Sequence, residues 1–192
     1  MTRKPEIRTG YHHGDLPRTL VREGAALLAE RGVDGFSMRE VARRAGVAVA
    51  APSHHFGNAK GLLTAIATDG FERLAERQQH NVDAAKTPLE AVVALCLGYV
   101  ETATLEPGHA AVMFRLDLVE PKAVRFREAA FAAFDQLVLA VQNAAPKGMP
   151  ERQVSLVAKS LWATAHGVRT LTMLEPGEGE AIIRTAAHAL LD

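Results

Sequence analysis

Side chains able to carry chemistry are sparse in this 192-residue chain. The one cysteine, Cys96, lies in the apolar run VVALCLGYV and has no second thiol to pair with, which suits a small buried hydrophobe better than a redox centre. His12, His13 and Asp15 resemble a ligand cluster, but the further ligands a zinc site needs are missing; they read as solvated residues, and no metal is expected. There is no glycine-rich phosphate loop, no nucleophile-elbow pattern and no paired metal-ligand motif, so an enzyme would need an unmotivated site and no cofactor is expected. What remains is cationic chemistry. Formal charge is zero over the chain, yet residues 1–60 hold ten basic and six acidic groups, net +4, and the remainder is net −4. A basic N-terminal part permits contact with phosphates without requiring it.

The elements that must position those cations are helices. Apolar residues recur with helical period throughout, and no alternating Val/Ile/Thr-rich run asks for a strand. Breakers at Gly32 to Gly35, Gly46, Gly57, Thr87-Pro88, Pro107-Gly108, Glu120-Pro121, Pro146 to Pro150 and Pro176 to Gly179 divide the chain into about nine helices, an all-α protein. The first runs from an Asp15 N-cap to a stop at Gly32, with Pro17 in its first turn. No run of about 18 unbroken apolar residues marks a membrane span. The basic start MTRKPEIRTG is followed by polar YHHGD and does not read as a secretory signal, so a cytoplasmic protein with no membrane partner is expected.

Ser37-Met38-Arg39-Glu40 has the form of a capping box, in which hydroxyl and carboxylate each satisfy an unpaired backbone N–H. Behind it Met38, Val41, Ala42 and Ala45 make one apolar stripe, and Gly46-Val47 stops the helix sharply. A second short helix ends near His54-His55-Phe56, before Gly57. Pro52 disfavours helix at Ala51, so this helix is expected to begin at Pro52 with free N–H groups at its start. Two short helices around a glycine turn form a helix-turn-helix, with Ser53 and His54 as base-edge readers. His55 is left open between packing under the head and facing out.

The run SMREVARRAGVAVAAPSHHFGNAKGLLTAI resembles, without a gap, the DNA-binding signature of the TetR (tetracycline repressor) family, with matches at Arg39, Val41, Ala42, Ala45, Gly46, Val47, His55, Phe56, Leu62 and Leu63. YHHGDL, Ala51-Pro52 and the later WATAHGVRTL resemble a subgroup with a C-terminal Trp and His-Gly element. Departures fall at Ala48, Ser53 and Ala59, where the family has serine, tyrosine and lysine; Lys60 is displaced by one. The resemblance implies an operator-binding head at 1–58 and a ligand-binding and dimerisation body at 59–192. It implies a homodimeric repressor that a small molecule releases from a palindromic double-stranded operator. The expected DNA-contact set is Ser37, Arg39, Arg44, Ala48, Val49, Ala50, Pro52, Ser53, His54 and Lys60, with arginines and lysine on phosphates.

In the body, helices over 60–81 and 88–105 follow the head, the first placed to carry motion between pocket and head. Tyr99, Met113, Phe114, Arg115, Asp117, Phe131 and Phe134 combine apolar bulk with polar anchors and are candidates to line an effector pocket, as are Trp162 and His166. Trp162 and His166, four apart, share a helix face whose orientation, toward ligand or toward partner, the sequence leaves open. A helix over 150–174 carries two stripes, Val154, Val157, Leu161, Ala165, Val168 with Leu171, and Ala158, Trp162, His166 with Met173. One is expected to cover the body and the other to meet a partner beside a last helix bearing Ile182, Ile183, Ala186 and Leu190, with Leu161 as the residue to test. Gly167 in mid-helix costs about 1 kcal/mol against alanine, which close approach of another helix would offset. Two rival readings stand beside this one: an enzyme on an all-helical fold, and a head used for protein contacts.

Overall fold

A computed structural model of the chain describes residues 16–171 and 173–191; the expected cap Asp15 and the pair His12 and His13 lie outside them. The described residues form nine helices and no strand: α1 (Leu16–Arg31), α2 (Met38–Arg44), α3 (Ala51–Phe56), α4 (Ala59–Asp83), α5 (Pro88–Leu105), α6 (Pro107–Met113), α7 (Val124–Ala144), α8 (Glu151–Thr170) and α9 (Glu178–Leu191). The head, α1 to α3, is built on period. Leu20, Gly24, Leu27 and Leu28 of α1 are buried on one stripe, and Val41 and Ala42 of α2 meet the same core. Gly46 turns the chain between α2 and α3 at φ +68°, a left-handed conformation a side chain would strain.

In the body α5 is central, packed against α4, α7, α8 and α9. Thr87 caps it by accepting the Glu90 N–H at 3.1 Å, Pro88 stands in its first turn, and Val92, Leu95, Cys96 and Tyr99 are buried. It is also long and apolar enough by length and composition alone to cross a membrane, with mean hydropathy 1.3; its place inside the bundle accounts for that character.

One apolar core runs through head and body. Three glycines permit the tight packing at their junction. A Cβ on Gly24 of α1 would come to 2.7 Å from Ile66 Cδ1 of α4, one on Gly70 of α4 to 2.9 Å from His109 Cβ of α6, and one on Gly108 of α6 would overlap the Ala25 carbonyl of α1. Displacing α6 or α4 therefore pushes on α1.

Helix α8 ends at Thr170, short of the expected 174, with Leu171 already extended. The helical parts of both anticipated stripes face inward, whereas Leu171 and Met173, beyond the helix end, are exposed. Val154, Val157, Leu161, Ala165 and Val168 are buried, Ala158 is buried with them, and Trp162 and His166 turn onto rings of α5 and of the α6 end. Leu161, fully buried within its own chain, therefore reports on folding, not on a dimer contact. A third stripe stays uncovered, Leu156, Ser160, Ala163 and Gly167, the last with nothing within 4 Å of a Cβ. Ile182 and Leu190 of α9 are exposed as well.

Candidate functional site

The head presents α3 on a buried footing. Pro52 is buried and fixes the helix to the core, which takes it out of the expected contact set; a ring packed inward cannot touch DNA. Helix begins at Ala51, one residue earlier than expected, because at the first helical position the constraint from a following proline is tolerated. The expected free amides are largely used locally: the Ala51 N–H donates to the Ala48 carbonyl and the His54 N–H to the Ala50 carbonyl. Outward stand Ser53, His54 and His55, the last exposed instead of packed under the head, with Ala48, Val49 and Ala50 exposed in the preceding turn. Val49 is 62% exposed, the one large apolar side chain on this face.

The basic residues divide in two. Arg39 and Lys60 are exposed and make no ion pair among the described residues, although Asp117 lies close enough to Lys60 to feel its charge. Arg44 is committed elsewhere. Its guanidinium is 15% exposed and reaches Glu30 of α1 at 2.6 and 2.8 Å and Glu40 at 3.2 Å, so it staples α2 to α1. Those carboxylates raise the Arg44 pKa, and hydrogen bonds from Arg43 and Arg44 hold Glu40 down at about 2. The capping box is accordingly not made. Ser37 occupies the N-cap of α2, but its hydroxyl makes no cap bond, and Glu40 serves the two arginines instead of the Ser37 amide. The exposed Ser37 hydroxyl is left for another acceptor or donor. The cap that does form was overlooked in the sequence: Asn58 accepts the Gly61 N–H at 3.1 Å and starts α4, which carries Lys60 in its first turn.

In the body the structure brings together five of the nine sequence candidates. Tyr99, Phe114, Phe134, Trp162 and His166 form one ring cluster with centroid separations from 5.2 to 6.3 Å among the contacting pairs. Phe71 extends it from Phe114 toward Phe126. Tyr99 is buried and its hydroxyl lies 2.6 Å from His166 Nδ1; the other four rings are half-buried. Burial pushes the Tyr99 phenol up to about 12, and burial followed by the nearby Arg169 charge lowers His166, so both are neutral near pH 7.

The remaining candidates sit apart. Met113 packs against Gly70 where α6 crosses α4. Arg115 and Asp117 pair with each other at 2.8 Å in the segment after α6, which runs back toward Asp34 of the head and Lys60 at the start of α4. Phe131 is 55% exposed on α7 under the Arg127 guanidinium. Spacing cannot show this, because the α6–α7 segment carries Arg115 and Asp117 out to the surface before Val119 and the Glu120 amide, bonded to Thr64 of α4, return to the core. Two cavities open outside the ring cluster: about 930 Å³ between α1, α4 and the start of α7, and about 450 Å³ between the α4–α5 turn and α7.

A polar clasp was not anticipated. His109, buried on α6, has Nε2 at 2.9 Å from Asp69 of α4 and Nδ1 at 3.2 Å from Glu106, while Arg73 bonds Asp69 at 2.7 Å and Glu106 at 3.2 Å. Of the two ring contacts, the one between Nε2 and Asp69 is a hydrogen bond, in which the ring donates to the carboxylate. The His109 bond, ahead of Arg73, holds the Asp69 carboxyl at about 2. The local halves, Asp69 with Arg73 and Glu106 with His109, were visible as helical spacings; their meeting across 40 residues was not. Among the described residues no group of three His, Cys, Asp or Glu could hold a metal ion.

Comparison with known proteins decides the family. Residues 20–66 match the model of bacterial regulatory proteins of the tetR family, and residues 92–190, half of the chain, match the tetracyclin repressor-like C-terminal domain. The chain belongs to the tetR family of regulatory proteins. A solved structure of a protein with unknown function from Rhodococcus sp. RHA1 is 33% identical, with a TM-score of 0.79, covering 95% of this chain and 97% of that one. The HTH-type transcriptional repressor KstR2 of Mycolicibacterium smegmatis is 29% identical over 98 residues, 51% of this chain and 47% of the relative. The class A tetracycline repressor protein from transposon 1721 of Escherichia coli is 42% identical over 66 residues, 34% of this chain and 29% of the relative. The match thus spans about half the length of the first curated relative and less than a third of the second. As a tetR-family chain, its helix-turn-helix falls wholly within the first matched segment and its ring cluster largely within the second.

Proposed function

We propose that this protein is a DNA-binding transcriptional repressor, not an enzyme, which acts in the cytoplasm as a homodimer on a palindromic operator and is released by a small-molecule effector. The observation that carries this reading is the outward face of α3. Ser53, His54 and His55 are exposed on a helix anchored by buried Pro52, flanked by the exposed cations Arg39 and Lys60, which make no ion pair among the described residues. Ser53 and His54 are the base readers in this reading. Arg39, Lys60, Ser37 and the Ala48-Val49-Ala50 turn meet the backbone, and Arg44 supports the head from behind. The functional division runs at 58/59, where α4 starts. The two matched curated relatives named as repressors support this direction of control.

The effector site of this reading is the ring cluster, and Trp162 with His166 supports membership of the subgroup with the Trp and His-Gly element. The dimer contact is the uncovered stripe of α8 together with α9. Titrating salt against binding to the DNA that flanks its own gene tests the reading. Affinity should fall steeply and linearly in log–log form, because each neutralised phosphate releases a counterion. Binding that ignores salt, or none at low salt by folded protein, would exclude it.

A further inference from the structure

The ring cluster has a polar edge whose hydrogens can be assigned. A single hydrogen lies between the Tyr99 hydroxyl and His166 Nδ1 at 2.6 Å. Were Nδ1 the donor, the buried phenolic hydrogen would have no acceptor, since the hydroxyl's other neighbour, the Arg169 guanidinium, can only donate. The phenol therefore donates, Nδ1 accepts, and the ring proton of His166 sits on Nε2. The high Tyr99 pKa and the lowered His166 pKa agree with a neutral pair. Nε2 has no hydrogen-bond partner among the described residues, on a ring that is half-exposed.

Arg169, one turn further along α8, is close enough to act electrostatically on both Tyr99 and His166. It spends one N–H on the Ala110 carbonyl at 3.3 Å and another toward the Tyr99 hydroxyl, and has no carboxylate partner among the described residues. A half-buried guanidinium with most of its donors unspent, beside an outward N–H, favours an anion. Around this edge Trp162, Phe114 and Phe134 are half-buried rings that offer flat apolar surface.

Resting on the effector reading above, we infer that the site takes a planar aromatic carboxylate, its ring system against Trp162 and Phe114 and its carboxylate on His166 Nε2–H and Arg169. Trp162 is the only tryptophan in the chain, so its fluorescence reports directly on the site. The probes are 1-naphthoate, its neutral methyl ester and the aliphatic decanoate. Naphthoate should quench Trp162, and both the ester and decanoate should bind at least about tenfold more weakly. Arg169→Gln should weaken naphthoate by roughly 10- to 100-fold, the range for a hydrogen bond to a charged group, and leave the ester unchanged. Tyr99→Phe, which keeps the ring packing but no longer fixes the proton on Nε2, should weaken naphthoate several-fold and spare the ester. Equal binding of naphthoate and ester, equal binding of naphthoate and decanoate, or no quenching by any probe overturns the inference. DNA binding by the same preparation separates the two readings. Operator bound with naphthoate ignored defeats the ligand class alone; naphthoate bound through Arg169 with no DNA bound at any salt defeats the regulator alone.

Discussion

Gly167 offers a test in which monomer and dimer respond with opposite sign. It lies in the middle of α8, where glycine costs about 1 kcal/mol against alanine. A Cβ there meets nothing within 4 Å of its own chain, so Gly167→Ala should stabilise an isolated protomer by about that amount. If the stripe with Leu156, Ser160 and Ala163 packs on its two-fold mate, the added methyl enters a close helix crossing instead. Overpacking typically costs about 1–3 kcal/mol, and symmetry brings two copies into each dimer. The dimer then loses about 2–6 kcal/mol, which weakens dimerisation from roughly 30-fold to about 10⁴-fold. Sedimentation over a concentration series measures that constant, and urea unfolding of dilute protein measures the protomer. Unchanged dimer affinity alongside a more stable protomer would refute the placement of the partner on this stripe.

Four further outcomes follow from the same geometry. Leu161→Ala, deep in the core, should cost about 2–5 kcal/mol in urea unfolding at any protein concentration, since its contacts are within one chain. Arg39→Ala or Lys60→Ala should lower affinity for every DNA sequence and reduce the salt slope by about one unit, while Arg44→Ala should lower the melting temperature and leave that slope nearly unchanged. His54→Ala should relax preference at one position of each half-site by about 1–3 kcal/mol, read by competition among operator variants. Asp69 has a folded-state pKa of about 2, below its unfolded value of about 3.9, so its contribution is complete above about pH 4 and is lost as pH falls toward 2. Asp69→Asn should flatten the pH dependence of thermal stability in that window, and an equally steep loss in the variant would show that the clasp is not its source.

Much of the fold was legible in the sequence because it is written in local terms. Helix count, the stops at Gly46 and Gly57, the Pro88 start of α5 and the burial of Cys96 depend on backbone conformation and on apolar period within a few turns. The exposure of Ser53 and His54 was legible for the same reason: a short helix must turn one side out. Tertiary structure alone decided which polar groups were already spent. Arg44 looks like a phosphate ligand until Glu30, 14 residues earlier, comes to 2.6 Å from it, and Glu40 looks like half of a cap until two arginines claim it. In the body, period showed that α8 is apolar on two sides but not what lies against each. Both sides proved to be covered by its own chain, because α5 and the end of α6 bring Tyr99 and Phe114 onto Trp162 and His166. Arg115 and Asp117 left the candidate pocket because the segment after α6 descends to the head, and His109 entered view only when α4 and α6 crossed. A linear pattern fixes which way a residue faces along its own helix; which groups meet there depends on how helices distant in sequence cross, and that is set by the packing of the whole core.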